Sequence, residues 1–173
     1  MKRSVLLSLA LLCLSGNAAA DSEASFPADW RSWVLIKETV IPDGATPLPD
    51  GIPPLFIETI KTYNWINNGQ GTRLHIYVNP TALAAYGTHG PYEDGPTAVG
   101  VYEDADIVFV TEHLMGEPLY GTYDLDGNDI STKHATFATE VCGRCHQGYS
   151  EICIGGTCAT PVNPLPAPRS AVP

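Results

Sequence analysis

Basic residues, methionine and long apolar runs are all scarce in this chain. Its 173 residues carry 9 Lys+Arg against 19 Asp+Glu, so its surface offers neither the phosphate neutralisation that nucleic acid requires nor attraction to an anionic bilayer. Such an acidic field suits solubility, or the steering of a basic redox protein partner. Of two methionines one is Met1, leaving Met115 as the single internal thioether. No apolar stretch approaches the roughly 20 residues of a membrane-spanning helix. Lysine after the first few residues is confined to Lys37, Lys61 and Lys133. Cysteine is also sparse, yet four of the five lie between Cys142 and Cys158.

The start of the chain sets the compartment. MKRSVLLSLALLCLSGNAAA has a basic opening (Lys2, Arg3), an apolar run from Val5 to Leu14 and a small-residue site at Ala18-Ala19-Ala20, which is the pattern of a cleaved secretory signal peptide. Residues 1–20 are therefore read as a signal removed after Ala20, and the protein as periplasmic or secreted. Cys13 leaves with it. The remaining 153 of 173 residues suffice for one domain with a sizeable core. That domain is placed at residues 21–160, followed by a Pro-rich, disordered tail at 161–173.

Pattern reading predicts an α+β, mainly β fold. DWRSWVLIKETVI opens as a short helix and runs into an extended segment. Asp43–Pro54 is a Pro/Gly-rich loop. Leu55–Gly69 fits either helix or strand, since Ile57, Ile60 and Trp65 have helical spacing while the β-branched and aromatic content suits a strand. Arg73–Val78 alternates as a strand. Asn79 then caps a helix from about Pro80 to Tyr86, with Gly87 as its stop. Pro96–Glu103, Asp106–His113 and Pro118–Asp124 read as strands joined closely enough for an antiparallel sheet. DLDGND (124–129) lacks the spacing of a calcium loop and reads as a turn around Asp126-Gly127. A helix is expected from Ser131 into the cysteine motif.

That motif carries the chemistry. Cys142-Gly143-Arg144-Cys145-His146 is C-x-x-C-H, the spacing that attaches haem covalently: two thiols three positions apart each form a thioether, and the next residue presents an imidazole to the iron. One haem c is thus expected on Cys142 and Cys145, with His146 as axial iron ligand. Cys153 and Cys158 remain, separated by IGGT, and a disulfide between them closes a small loop. Two other readings use the same sulfurs. Four thiolates in a C-x2-C-x7-C-x4-C set would suit zinc, and two disulfides would simply staple an exported domain; both leave His146 idle. With no methionine after His146, a His/Met site is disfavoured. His75, His89, His113 and His134 are the remaining imidazoles, and a five-coordinate iron with an open distal face is the expected state.

DWRSWVLI, LHIYVNPTALAAY, YEDGPTAVGVYE and CGRCH, spread over Ala28 to His146, together resemble the cytochrome P-460 family, which includes the β-sheet cytochromes c′. The resemblance implies an antiparallel sheet with flanking short helices and one covalent haem near the C-terminal end. It further implies an open distal pocket lined by the sheet, and a homodimer. Members oxidise hydroxylamine and nitric oxide, or bind nitric oxide. The oxidising members carry a lysine in a V-x-V-K-E strand; here VGVYE places Tyr102 at that position and Glu103 after it. Tyr102 and Glu103 are accordingly the distal-pocket candidates. The expected function is a monohaem c-type cytochrome that binds nitric oxide or a similar small ligand, or transfers electrons. The alternative is a haem enzyme acting on hydroxylamine, nitric oxide or peroxide, with Glu103 or Glu112 moving a proton.

Overall fold

A computed structural model describes residues 21–158, so the expected signal peptide and the tail at 161–173 lie outside the described residues. The fold is mainly β, with a five-stranded antiparallel sheet and few short helices. A 3-10 turn at Trp30–Ser32 leads into β1 (Val34–Ile41). Then follow α1 (Pro54–Tyr63), β2 (Thr72–Val78), α2 (Leu83–Thr88), β3 (Gly95–Tyr102), β4 (Ile107–Leu114), β5 (Glu117–Tyr123) and α3 (Thr139–Gly148). A two-stranded hairpin, β6 (Cys153–Ile154) and β7 (Thr157–Cys158), follows. Strand order is β1-β2-β3-β4-β5, a meander in chain order. No helix among the described residues is long and apolar enough to cross a membrane.

The turns follow from local chemistry. Met115 and Gly116 join β4 to β5 with both residues at positive φ, the two-residue turn whose twist matches antiparallel strands. Asp124 shapes the next loop, where its Oδ1 accepts from the backbone N–H groups of Asp126 and Asn128, so DLDGND forms a turn as expected. The ambiguous segment Leu55–Gly69 is helical only as far as Tyr63, in α1, with Pro54 in its first turn where a missing N–H costs nothing; Ile66–Gly69 form a 3-10 turn in which Asn67 and Asn68 are left-handed.

Two expected helices shift. Asn79 does not cap α2. Its Oδ1 closes a turn on the Thr81 N–H and hydroxyl, and its Nδ2 donates to the Pro96 carbonyl of β3, so the helix begins only at Leu83. It passes through Gly87 and ends at His89, which takes the left-handed conformation. The segment from Ser131 is likewise no single helix, because Ala138 is extended between a 3-10 turn at Ala135–Phe137 and α3. The Thr122 hydroxyl donates 2.9 Å to the Phe137 carbonyl, removing an acceptor that a continuous helix would have used.

Alternation along the strands gives the sheet two different faces. On one, Val99 and Val101 of β3 and Val108 and Val110 of β4 pack with Trp30, Trp33, Ala24 and Tyr123. On the other, Tyr102, Ile107 and Ile41 pack with Ile66, Ile130 and Phe137. Trp30 is 2 % exposed and meets Tyr77 edge to face, their centroids 5.3 Å apart. Trp30→Ala should therefore lower the unfolding free energy by about 3–5 kcal/mol, measurable by guanidinium denaturation.

Candidate functional site

The second face of the sheet is not filled by its own side chains. Register places Lys37, Thr39 and Ile41 of β1 opposite Ile76, Leu74 and Thr72 of β2, and Ile76 opposite Gly100 of β3, itself opposite Phe109 of β4. Gly100 thus sits mid-sheet on this face. A Cβ there would stand 3.3 Å from Leu74 Cδ1 and 3.5 Å from Ile76 Cδ1, so glycine leaves a shallow floor where another group can approach the backbone closely. Above that floor lies a cavity of about 430 Å³, mostly apolar, walled by α1 (Leu55, Phe56, Thr59, Tyr63) and α3. Its size falls within the range of small-molecule and cofactor pockets.

Helix α3 brings the cysteine motif to this cavity. Positions i, i+3 and i+4 share one helix face, and Cys142, Cys145 and His146 all line the cavity. Cys142 and Cys145 are free thiols. Burial pushes Cys142 up to about 11, its neighbours Cys145 and Glu140 adding to the effect. Burial also raises Cys145, with Glu58 of α1 adding to it. Burial lowers His146, opposed by the Gly156 backbone, which favours a neutral imidazole able to ligate a metal.

Cys153 and Cys158 are bonded to each other, and Cys158 Sγ lies 3.6 Å from His146 Nδ1. The hairpin they close packs beneath the motif. It is tied to the sheet by His113, whose Nδ1 meets the Thr97 hydroxyl at 2.6 Å and whose Nε2 meets the Gly155 carbonyl at 2.5 Å. Tyr92 stacks on the His113 ring with centroids 4.1 Å apart and shares a hydrogen bond with the Thr157 hydroxyl. The disulfide also bears on the zinc reading. His146, Cys153 and Cys158 converge within 4.8 Å, but two sulfurs bonded to each other are not thiolate ligands, and a four-thiolate set is thereby withdrawn.

No family model and no curated protein matches this chain. The site therefore stands on its own geometry.

The expected distal candidates separate. Tyr102 is 1 % exposed, lines the cavity and packs against Tyr63 and Phe109; burial holds its phenol well above the ordinary tyrosine range. Glu103 does not join it. At the start of the turn after β3, Glu103 is half-exposed and faces His75 Nδ1 at 4.0 Å, because one step along a strand reverses the side chain. Glu112 is also elsewhere, accepting from the Ser25 N–H at 2.5 Å. Of the other imidazoles, His113 is consumed by the hairpin network and His75 pairs with Glu38 at 3.4 Å. His134 stacks on Trp65 at 3.9 Å, and His89 ends α2. Met115 is 88 % exposed in its turn. Among the described residues His146 is the single imidazole lining the cavity.

Lys37, Thr39, Tyr63, Gly100 and Tyr120 join this site without having been singled out from sequence. For Tyr63 the signal was hidden by the helix-or-strand ambiguity of its segment. Burial, with Cys142, Tyr102 and Cys145 nearby, raises Tyr63 well above its usual range, and burial raises Tyr120 too, with the two thiols adding to it.

His113→Phe should leave the Gly155 carbonyl and Thr97 hydroxyl without their partner, costing about 1–3 kcal/mol. Faster amide exchange confined to residues 153–158 would check this. With both thiols free, Cys142 should resist iodoacetamide at neutral pH, since a thiol near 11 is about one part in 10⁴ thiolate at pH 7. Its alkylation rate should climb tenfold per pH unit toward that value, read by peptide mass spectrometry.

Proposed function

We propose that this protein is an exported, monohaem c-type cytochrome of the P-460 type that binds nitric oxide or a similar small ligand at a five-coordinate iron. The observation that carries the reading is that Cys142, Cys145 and His146 line one apolar cavity whose floor is opened by Gly100. A flat, apolar macrocycle fits such a space. Cys142 and Cys145 would hold it through thioethers, and His146 would ligate the iron. When bound, haem supplies a metal that takes up small gases and nitrogen oxides or exchanges an electron.

The remaining contributions come from the chain itself. The hairpin at 153–158 backs the His146 ring on its Nδ1 side, fixing its orientation as outer-shell partners do. Leu55 and Phe56 of α1, with Leu74, Ile76 and Phe109 of the sheet, exclude water. Tyr63 and Tyr102 stay protonated because burial raises both phenols, so they can donate a hydrogen bond but not accept a proton. Five-coordination is supported by the lack of a second imidazole or a thioether on the cavity wall among the described residues. Ligand binding is favoured over hydroxylamine or peroxide chemistry for a related reason, since neither carboxylate expected to move a proton, Glu103 or Glu112, lines the cavity.

Co-expression with a cytochrome maturation system should give a red protein whose haem stays attached through denaturation and whose ferrous spectrum shifts with nitric oxide. A colourless product would refute the reading. Cys142→Ala together with Cys145→Ala should abolish covalent attachment, and Gly100→Leu should reduce haem incorporation with the fold retained, as judged by circular dichroism.

A further inference from the structure

One end of the cavity is polar in a way the proposed function does not use. Pairing between β1 and β2 shifts register between Leu35 and Lys37, so Ile36 is an extra residue, a β-bulge of the kind that re-aims the side chain beyond it. In consequence Lys37 joins Ile36 on the cavity face, opposite to that of Leu35, and Lys37 and the next residue on that face, Thr39, both line the cavity. Without the bulge, alternation would have turned Lys37 to the opposite face.

Neither polar group has a partner among the described residues. Lys37 takes part in no ion pair, and the Thr39 hydroxyl is buried with no hydrogen bond. The adjacent carboxylate does not serve, because Glu38 points to the other face, where it meets Arg73 and His75. A partly buried ammonium and a buried hydroxyl with nothing to bind are costly. Burial alone brings Lys37 down to about 8, and an arriving anion would offset that cost through charge-assisted hydrogen bonds.

We infer that Lys37 and Thr39 form a receiving site for a small oxygen anion at the β1 edge of the cavity. β1 and β5 are the two edges of the sheet, and α3 packs on β5, so this site lies across the cavity from His146. The inference rests on the haem reading, and the shared chemistry has two sources: a carboxylate of the haem itself, or an oxyanion such as nitrite taken up at the iron. Both present oxygens with one negative charge to Nζ and Oγ1.

The test uses the haem-loaded protein and its Lys37→Met and Lys37→Arg variants. Lys37 is only partly buried on an edge strand, and haem content and circular dichroism verify that each variant folds. Nitrite and imidazole are titrated into the ferric protein by absorption, and the ferric–ferrous midpoint potential is measured. If the anion arrives at the iron, Lys37→Met weakens nitrite binding about tenfold or more and leaves imidazole binding unchanged, with Lys37→Arg close to wild type. If the anion is the haem's own carboxylate, nitrite affinity holds while the potential falls in Lys37→Met, since lost positive charge favours the ferric state, and Lys37→Arg restores it. Unchanged nitrite affinity and potential in Lys37→Met overturns the site, as does an equal loss of imidazole affinity, which would mark a distorted pocket. A wild-type protein without covalent haem would overturn the underlying reading first, before any variant is made.

Discussion

Side-chain alternation on the β-sheet is the constraint from which the rest of this molecule follows. Because successive residues must point to opposite faces, the five strands are committed to two environments at once. Val99, Val101, Val108 and Val110 fill one face against Trp30 and Trp33, and that packing holds the sheet. The other face is then free to carry Gly100 at its centre and a cavity above it. A glycine within a central strand costs stability through lost packing and added chain entropy, and the dense opposite face is what makes such a floor tolerable.

The cavity's roof has a similar division of labour. Helix α3 brings three residues to one face, but its position depends on contacts outside the helix. The Thr122 hydroxyl stops the preceding turn at Phe137, and the hairpin beneath is pinned through the fully buried His113. The disulfide closes only a short loop, so loop-closure entropy accounts for little of its role. Its placement against the His146 ring says more.

Much of this architecture was legible in the chain. Strands β2 to β5 followed from alternation and turn residues, and the 3-10 turn leading into β1 from the Trp30 and Trp33 spacing. The failures have identifiable physical causes. Asn79 and Gly87 are residues that cap and stop helices, but a side chain that can cap can equally close a turn of its own, and here the Pro96 carbonyl of β3 decided between them. The expected helix from Ser131 broke because the Phe137 carbonyl found a partner over a distance in sequence that local patterns do not register. At the site, Tyr102 reached the cavity while Glu103, one residue on, fell outside it.

By itself, the sequence determined the composition of the site's chemistry: a C-x-x-C-H motif whose spacing must place both thiols and the imidazole on one side of a helix, and a second cysteine pair near enough in the chain to join. It also determined an acidic, mainly β domain, since those properties depend on residue type and local period. Only the tertiary structure decided what faces the motif. Which strand residues line the cavity depends on register, and a single bulge at Ile36 moves Lys37 from one face to the other. Register is set by cross-strand pairing between residues far apart in the chain, which is why the wall opposite His146 could not be read from any one stretch of it.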